Sequence, residues 1–276
     1  MNLNELTIKS AKQNLKDKKF SATELLNAYL DQIEKKNSDL NVFLTVSKEE
    51  ALSQAKKADE LIKSGQDLPL LGIPIALKDI FSTKNIRTTA ASKVLEDYIP
   101  VFDATVVTKL KQAGAVLIGK TNCDAWAHGS SGENSDFGPT KNPWDTSYIP
   151  GGSSSGSAVS VAANLSLAAT GTDTGGSIRL PASFTNTVGL KPTYGRVSRS
   201  GIIAMASSLD SIGHFTKTVE DSALLLNVTA GKDELDATTS LKREDDYTND
   251  LSSDIKGIKI GIPKEYFAKG LDKEIK

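Results

Sequence analysis

Apolar residues recur at helical spacing over the first quarter of the chain. Leu25, Leu26, Tyr29, Leu30 and Ile33 share one face, and Ser21-Ala22-Thr23-Glu24 ahead of them fits a capping box. Ser47-Lys48-Glu49-Glu50 reads as a second helix start. It opens an Ala/Lys/Glu segment that runs to about Lys63, with its charges on a solvated face. After Asp67 the pattern changes. Short apolar runs at 71–77, 115–118, 165–169 and 258–262 alternate with helix-like stretches, which predicts an α/β fold with an internal sheet. Residues 134–157 are rich in Gly, Pro, Ser and Asn and predict irregular structure. Residues 258–263 read as a strand and 271–276 as the first turn of a helix. So short a helix is marginal alone, and the chain reads as the N-terminal part of a longer protein. One domain is expected, with an N-terminal helical segment (1–66) packed on a core (67–276).

Composition narrows the function classes. Among 276 residues, 33 are Lys or Arg and 34 are Asp or Glu, a net charge of −1. A surface dedicated to nucleic acid would be strongly basic, so a partner would have to supply that surface. The single cysteine, Cys123, excludes an internal disulfide and a cysteine-based zinc site. Two histidines, His128 and His214, leave few ligands for a metal, and none is expected. The first twenty residues hold no apolar signal region, and no apolar run approaches the ~20 residues that span a bilayer. A cytoplasmic protein is the expectation.

Two motifs mislead. Residues 114–121, Gly-Ala-Val-Leu-Ile-Gly-Lys-Thr, match the P-loop pattern, but Ala115–Ile118 should be the buried strand itself, with no loop to cradle phosphates. Residues 152–156, Gly-Ser-Ser-Ser-Gly, match a nucleophile elbow, and a Ser154–Asp210–His214 triad can be written. The residues before it do not read as the strand such an elbow requires.

A longer pattern is more informative. Residues 150–157 form a Pro-Gly-Gly-Ser-Ser-Ser-Gly-Ser run that leads directly into an apolar helix-like stretch, and 171–179 read Gly-Thr-Asp-Thr-Gly-Gly-Ser-Ile-Arg. Glycines at helix starts can turn successive N–H groups toward one point. Amides of Thr174, Gly175 and Gly176 could then hold an oxyanion while Ser177 attacks. Two tight turns packed together would give the same spacing, and spacing alone leaves both readings open. With histidine scarce, Lys78 is the candidate base. It alternates with Gly72, Pro74 and Ala76 on one face of a predicted strand, where enclosure would lower its pKa. Taken alone, an exposed lysine at a strand end is the simpler reading.

Together these pieces resemble the amidase signature family over residues 71–212. The resemblance implies a mixed α/β sheet covered by helices and a Ser–Ser–Lys triad, with Ser177 as nucleophile, Ser153 as bridge and Lys78 as base. It also implies a cis peptide between Gly152 and Ser153. Within the family, 129–144, 189–199 and 206–213 resemble the A subunits of tRNA-dependent amidotransferases. That likeness implies glutamine hydrolysis, with ammonia passed to a B subunit that amidates Glu-tRNA(Gln) using ATP and Mg²⁺. A C subunit completes the heterotrimer, and tRNA is held mainly by B. It implies no cofactor in this chain, and substrate contacts at His128, Gly129 and Ser130. His128 stands where these subunits usually have Met, Ser155 where glycine is common, and His214 where proline is common. A stand-alone amidase acting on simple or aryl amides would use the same triad, and a non-catalytic scaffold would use none of it.

Overall fold

The computed structural model describes residues 2–242, 246–249 and 251–275. Its centre is a six-stranded mixed sheet in the order β1-β3-β2-β4-β6-β5. The strands are β1 (Phe43–Val46), β2 (Pro74–Lys78), β3 (Val116–Thr121), β4 (Ala168–Asp173), β5 (Val188–Leu190) and β6 (Ser211–Thr216). The central three, β3-β2-β4, run parallel, and β1, β6 and β5 join antiparallel to their neighbours. The helices are α1 (Ile8–Lys16), α2 (Ala22–Leu40), α3 (Lys48–Lys63), α4 (Thr105–Gln112), α5 (Ser155–Ala162), α6 (Arg179–Thr185) and α7 (Val219–Thr229). No helix among the described residues is long and apolar enough to cross a membrane.

The two expected N-terminal helices form, by different means. At α2 the Ser21 hydroxyl accepts from the Glu24 amide while the Glu24 carboxylate accepts from the Ser21 amide. This reciprocal pair satisfies two donors that a helix start otherwise leaves open. The carboxylate of Asp59 on α3 takes two more, Ala22 N at 2.6 Å and Thr23 N at 3.2 Å. At α3 the start is where the sequence places it, but Ser47 makes no capping bond and its buried hydroxyl has no partner among the described residues. The first 66 residues are not wholly helical, because Phe43–Val46 forms an edge strand of the sheet. Asp221 on α7 binds the chain's start to the core by accepting from Ile8 N and Lys9 N.

The strand expected at 258–263 does not form. Ile258, Ile260 and Ile262 are 66%, 84% and 74% exposed and belong to no ladder among the described residues. An alternating apolar pattern makes a strand only where a neighbour accepts its backbone groups. Residues 273–275 form a turn, and Lys276 lies outside the described residues.

Close backbone approach fixes the β1–β3 edge. A Cβ on Gly119 would lie 2.1 Å from the Thr45 carbonyl oxygen. Gly119→Ala is therefore expected to destabilise the fold by about 1–3 kcal/mol through forced displacement. Urea unfolding checks this, and an unchanged midpoint would contradict it.

Candidate active site

The three parallel strands end on one side of the sheet, where open α/β sheets commonly place ligands. Lys78 is the last residue of β2, Asp173 is the last of β4, and the 150–154 segment enters α5 beside them. α5 packs against the sheet with small residues: Ser155, Gly156, Ser157 and Ala158 are all buried. A Cβ on Gly156 would lie 2.7 Å from backbone atoms of Asn122 and Val42. The Gly/Ser run is thus a packed helix start and no linker.

Lys78 is completely buried. Its Nζ donates to Ser153 Oγ at 2.8 Å, Thr172 Oγ1 at 2.9 Å and Ser154 Oγ at 3.0 Å. Three hydroxyls match the three protons of an ammonium. Burial nevertheless pushes the lysine pKa down to about 8, opposed by the nearby carboxylates of Asp124, Asp173 and Asp210. A neutral amine needs one hydroxyl to donate into its lone pair. Ser154 donates its own proton to the Thr172 carbonyl at 3.1 Å, so Ser153 and Thr172 are the hydroxyls left for that role.

Ser177 is 8% exposed and lies next to this cluster, its carbonyl accepting from Ser154 N at 3.2 Å. Its hydroxyl makes no hydrogen bond among the described residues, so the Ser153–Ser177 step of a proton relay is not formed here. Catalytic hydrogen bonds are often loose without substrate and tighten in the complex. The Gly152–Ser153 peptide is cis.

The proposed oxyanion cradle is only partly available. Gly176 N donates to Asp173 Oδ1 at 2.7 Å, so that amide is already committed. The amides of Gly175 and Ser177 make no hydrogen bond among the described residues. Thr174 is held through its hydroxyl, which donates to Asp210 Oδ1 at 2.6 Å.

Asp173 is the residue that the sequence reading overlooked. It is fully buried and accepts from Gly176, Ile178 and Arg179 amides and from two nitrogens of the Arg179 guanidinium. Burial raises its pKa, but the Arg179 guanidinium and the three amides outweigh burial and hold it below the ordinary carboxylate range. The signal was present as an aspartate followed directly by a Gly-rich turn whose amides need an acceptor, although it stands five residues ahead of the α6 N-cap position, Ile178.

His128, Gly129 and Ser130 lie on an exposed loop. His128 Nδ1 turns back to the Trp126 carbonyl at 3.0 Å, and the Ser130 carbonyl accepts from Gly152 N at 2.8 Å. The loop therefore borders the Ser153 segment. The alternative triad is scattered. His214 is buried against Ser222 Oγ at 2.9 Å, Asp210 is bound to Thr174, and Ser154 is bound to Lys78. The P-loop look-alike is the buried strand β3, and its Lys120 points to the Phe81 carbonyl and Thr88 Oγ1, both at 2.6 Å. No group of three or more His, Cys, Asp or Glu able to hold a metal occurs among the described residues.

The profile of the amidase family matches residues 24–276. The chain belongs to the amidase family. Its relatives include the A subunit of the glutamyl-tRNA(Gln) amidotransferase of Desulfatibacillum aliphaticivorans, 55% identical over 270 residues that cover 98% of this chain and 56% of the relative. Its counterpart in Carboxydothermus hydrogenoformans is 55% identical over 277 residues, covering all of this chain and 57% of the relative. Among solved structures, the A subunit of the glutamyl-tRNA(Gln) amidotransferase of Thermotoga maritima superimposes with a TM-score of 0.77 at 43% identity, over 88% of this chain and 50% of that one. The peptide amidase of Stenotrophomonas maltophilia gives 0.84 at 39% identity, over 88% and 52%. The chain thus spans just over half the length of the curated relatives it matches.

Proposed function

We propose that this chain carries the amide-hydrolysing centre of a glutaminase subunit of a tRNA-dependent amidotransferase. The observation that carries the reading is the completely buried Lys78, bonded to Ser153 Oγ at 2.8 Å beside Ser177. Neutral Lys78 takes a proton from Ser153 as Ser153 takes one from Ser177. The Ser177 oxygen attacks the side-chain amide carbon of glutamine, and the free amides of Gly175 and Ser177, with that of Thr174, face the oxyanion. The relay returns the proton to the departing nitrogen, ammonia leaves, and a glutamyl ester remains on Ser177. Water then releases glutamate by the same relay.

In this reading ammonia passes to a B subunit, which activates Glu-tRNA(Gln) with ATP and Mg²⁺, and a C subunit completes the complex. The assembly works in the cytoplasm, and this chain needs no cofactor of its own. The near-neutral charge supports that division, since B holds the tRNA. The 55% identity to amidotransferase A subunits favours glutamine as the amide donor. The superposition on a peptide amidase supports a second reading, in which the same centre hydrolyses simple or aryl amides without partners. The test uses the protein as its gene encodes it, with and without B and C subunits. Glutamine hydrolysis that rises on assembly supports the first reading. Aryl-amide turnover by the protein alone, with glutamine ignored, replaces it by the second.

A base that must be neutral sets the pH dependence. Because burial brings Lys78 down to about 8, kcat/KM is expected to rise with pH and level off above about 8. A pH-rate profile checks this. A rate flat from about pH 6 to 10 would contradict lysine as the base.

A further inference from the structure

Between the loop at 128–134 and the Gly152–Ser153 step lies one side chain with no role in the reaction just described. Asp124 is fully buried. Its Oδ1 accepts from Asn134 N at 2.9 Å and its Oδ2 from Gly132 N at 3.1 Å. Its own amide donates to the Ser153 carbonyl at 3.1 Å. Two glycines make room for the carboxylate: a Cβ on Gly152 would lie 2.0 Å from Oδ2, and one on Gly129 would lie 2.4 Å from Cγ. The same loop is tied to the Ser153 segment by Gly152 N donating to the Ser130 carbonyl at 2.8 Å. The Asn134 side chain closes it by donating to the His128 carbonyl at 2.8 Å.

We propose that Asp124 is a positioning residue, whose carboxylate fixes the 128–134 loop against the Gly152–Ser153 step and so sets the distance between bound amide and proton relay. The inference rests on the Ser–Ser–Lys reading above. No other side chain accepts from both Gly132 and Asn134 amides among the described residues. An asparagine in its place would accept from one amide and present its NH₂ to the other, a donor against a donor. A glutamate would need an extra methylene in space that two glycines already leave only just open.

Asp124 also faces Lys78 electrostatically. The other charged groups that face Lys78 are Asp173 and Asp210, while Cys123 is neutral because burial pushes its thiol up to about 12. Each carboxylate favours protonated Lys78, so removing the charge of Asp124 makes the lysine easier to deprotonate.

The test is steady-state hydrolysis of L-glutamine by the assembled protein, comparing the parent with Asp124→Asn, Asn134→Ala and Ser177→Ala. Asp124→Asn is expected to lower kcat/KM by about 100-fold, the scale of a small misplacement of reacting groups, and to shift the pH midpoint downward. A lowered melting temperature with the midpoint unmoved would show a purely structural residue and overturn the proposal. Asn134→Ala removes only the tie to His128, and is expected to raise KM severalfold with the pH midpoint kept. An unchanged KM would overturn the proposal even if Asp124→Asn fails to fold. Ser177→Ala separates the two levels: if it keeps parental activity the triad itself fails, whereas an inactive Ser177→Ala beside an unaffected Asp124→Asn refutes the positioning role alone.

Discussion

Ser177→Ala is expected to lower glutamine hydrolysis by at least about 10⁴-fold, the scale seen when a hydrolase loses its nucleophile. The hydroxyl sits in a nearly closed position, next to a lysine that is neutral above about pH 8 and already hydrogen-bonded to Ser153. Lys78→Met should cost a similar factor, because the relay then has no acceptor. It also leaves Ser153, Ser154 and Thr172 hydroxyls facing a methyl group. The two losses should not add, since the residues act as one unit. Steady-state assays of both single variants and the double variant check this. A double variant slower by the product of the single factors would mean that Ser177 and Lys78 act independently.

The second large effect concerns stability. Asp79 and Lys120 are both completely buried, with Nζ 3.6 Å from Oδ1. Burial pushes Lys120 down to about 8, resisted by Asp79, and pushes Asp79 up, resisted by Lys120. Each charge also organises the chain after β2. Lys120 donates to Phe81 O and Thr88 Oγ1, and Asp79 accepts from the Thr89 hydroxyl and amide and from Ala91 N. Removing one member leaves the other in the core without its counter-charge, so it must either carry an uncompensated charge or give that charge up. Asp79→Ala or Lys120→Met is expected to cost about 3–5 kcal/mol, whereas replacing both by apolar residues should cost much less than the sum. Urea unfolding of the two single variants and of Asp79→Leu combined with Lys120→Met measures this. Single losses under about 1 kcal/mol would mean the pair is hydrated like a surface bridge.

The sequence made local signals legible and left long-range ones hidden. The capping box at Ser21 and Glu24 forms as written, because both partners lie within four residues. The start at Ser47 has the same residue types, yet its hydroxyl is buried away from the helix amides, which no local pattern reveals. β2 and β3 appear largely as apolar runs because they are buried on both faces, whereas only the first two residues of β4 fall in the apolar run at 165–169 and the strand continues Thr-Gly-Thr-Asp. β6 is just as buried but reads Ser-Ile-Gly-His-Phe-Thr, and its burial comes from neighbours distant in the chain. The isoleucines at 258, 260 and 262 show the converse, a strand pattern with no neighbour among the described residues.

At the site, the types and intervals of Lys78, Ser153 and Ser177 were legible. Their order of hydrogen bonding was not. Ser154 and Thr172 share Lys78 with Ser153: Thr172 comes from β4 lying beside β2, and Ser154 from the segment that enters α5. Gly176 looked free by composition, but its amide belongs to Asp173. A Gly-rich run shows that amides can be aimed at a point, and only the fold shows which of them already have partners.

One measurement addresses the chemistry at its source. The assembled protein is quenched in acid during turnover of L-glutamine, digested, and analysed by mass spectrometry for a covalent glutamyl group. The mechanism predicts that group as an ester on Ser177, absent from Ser177→Ala. Turnover accompanied by an acyl group on Ser154, or on any other residue with Ser177 unmodified, would contradict it.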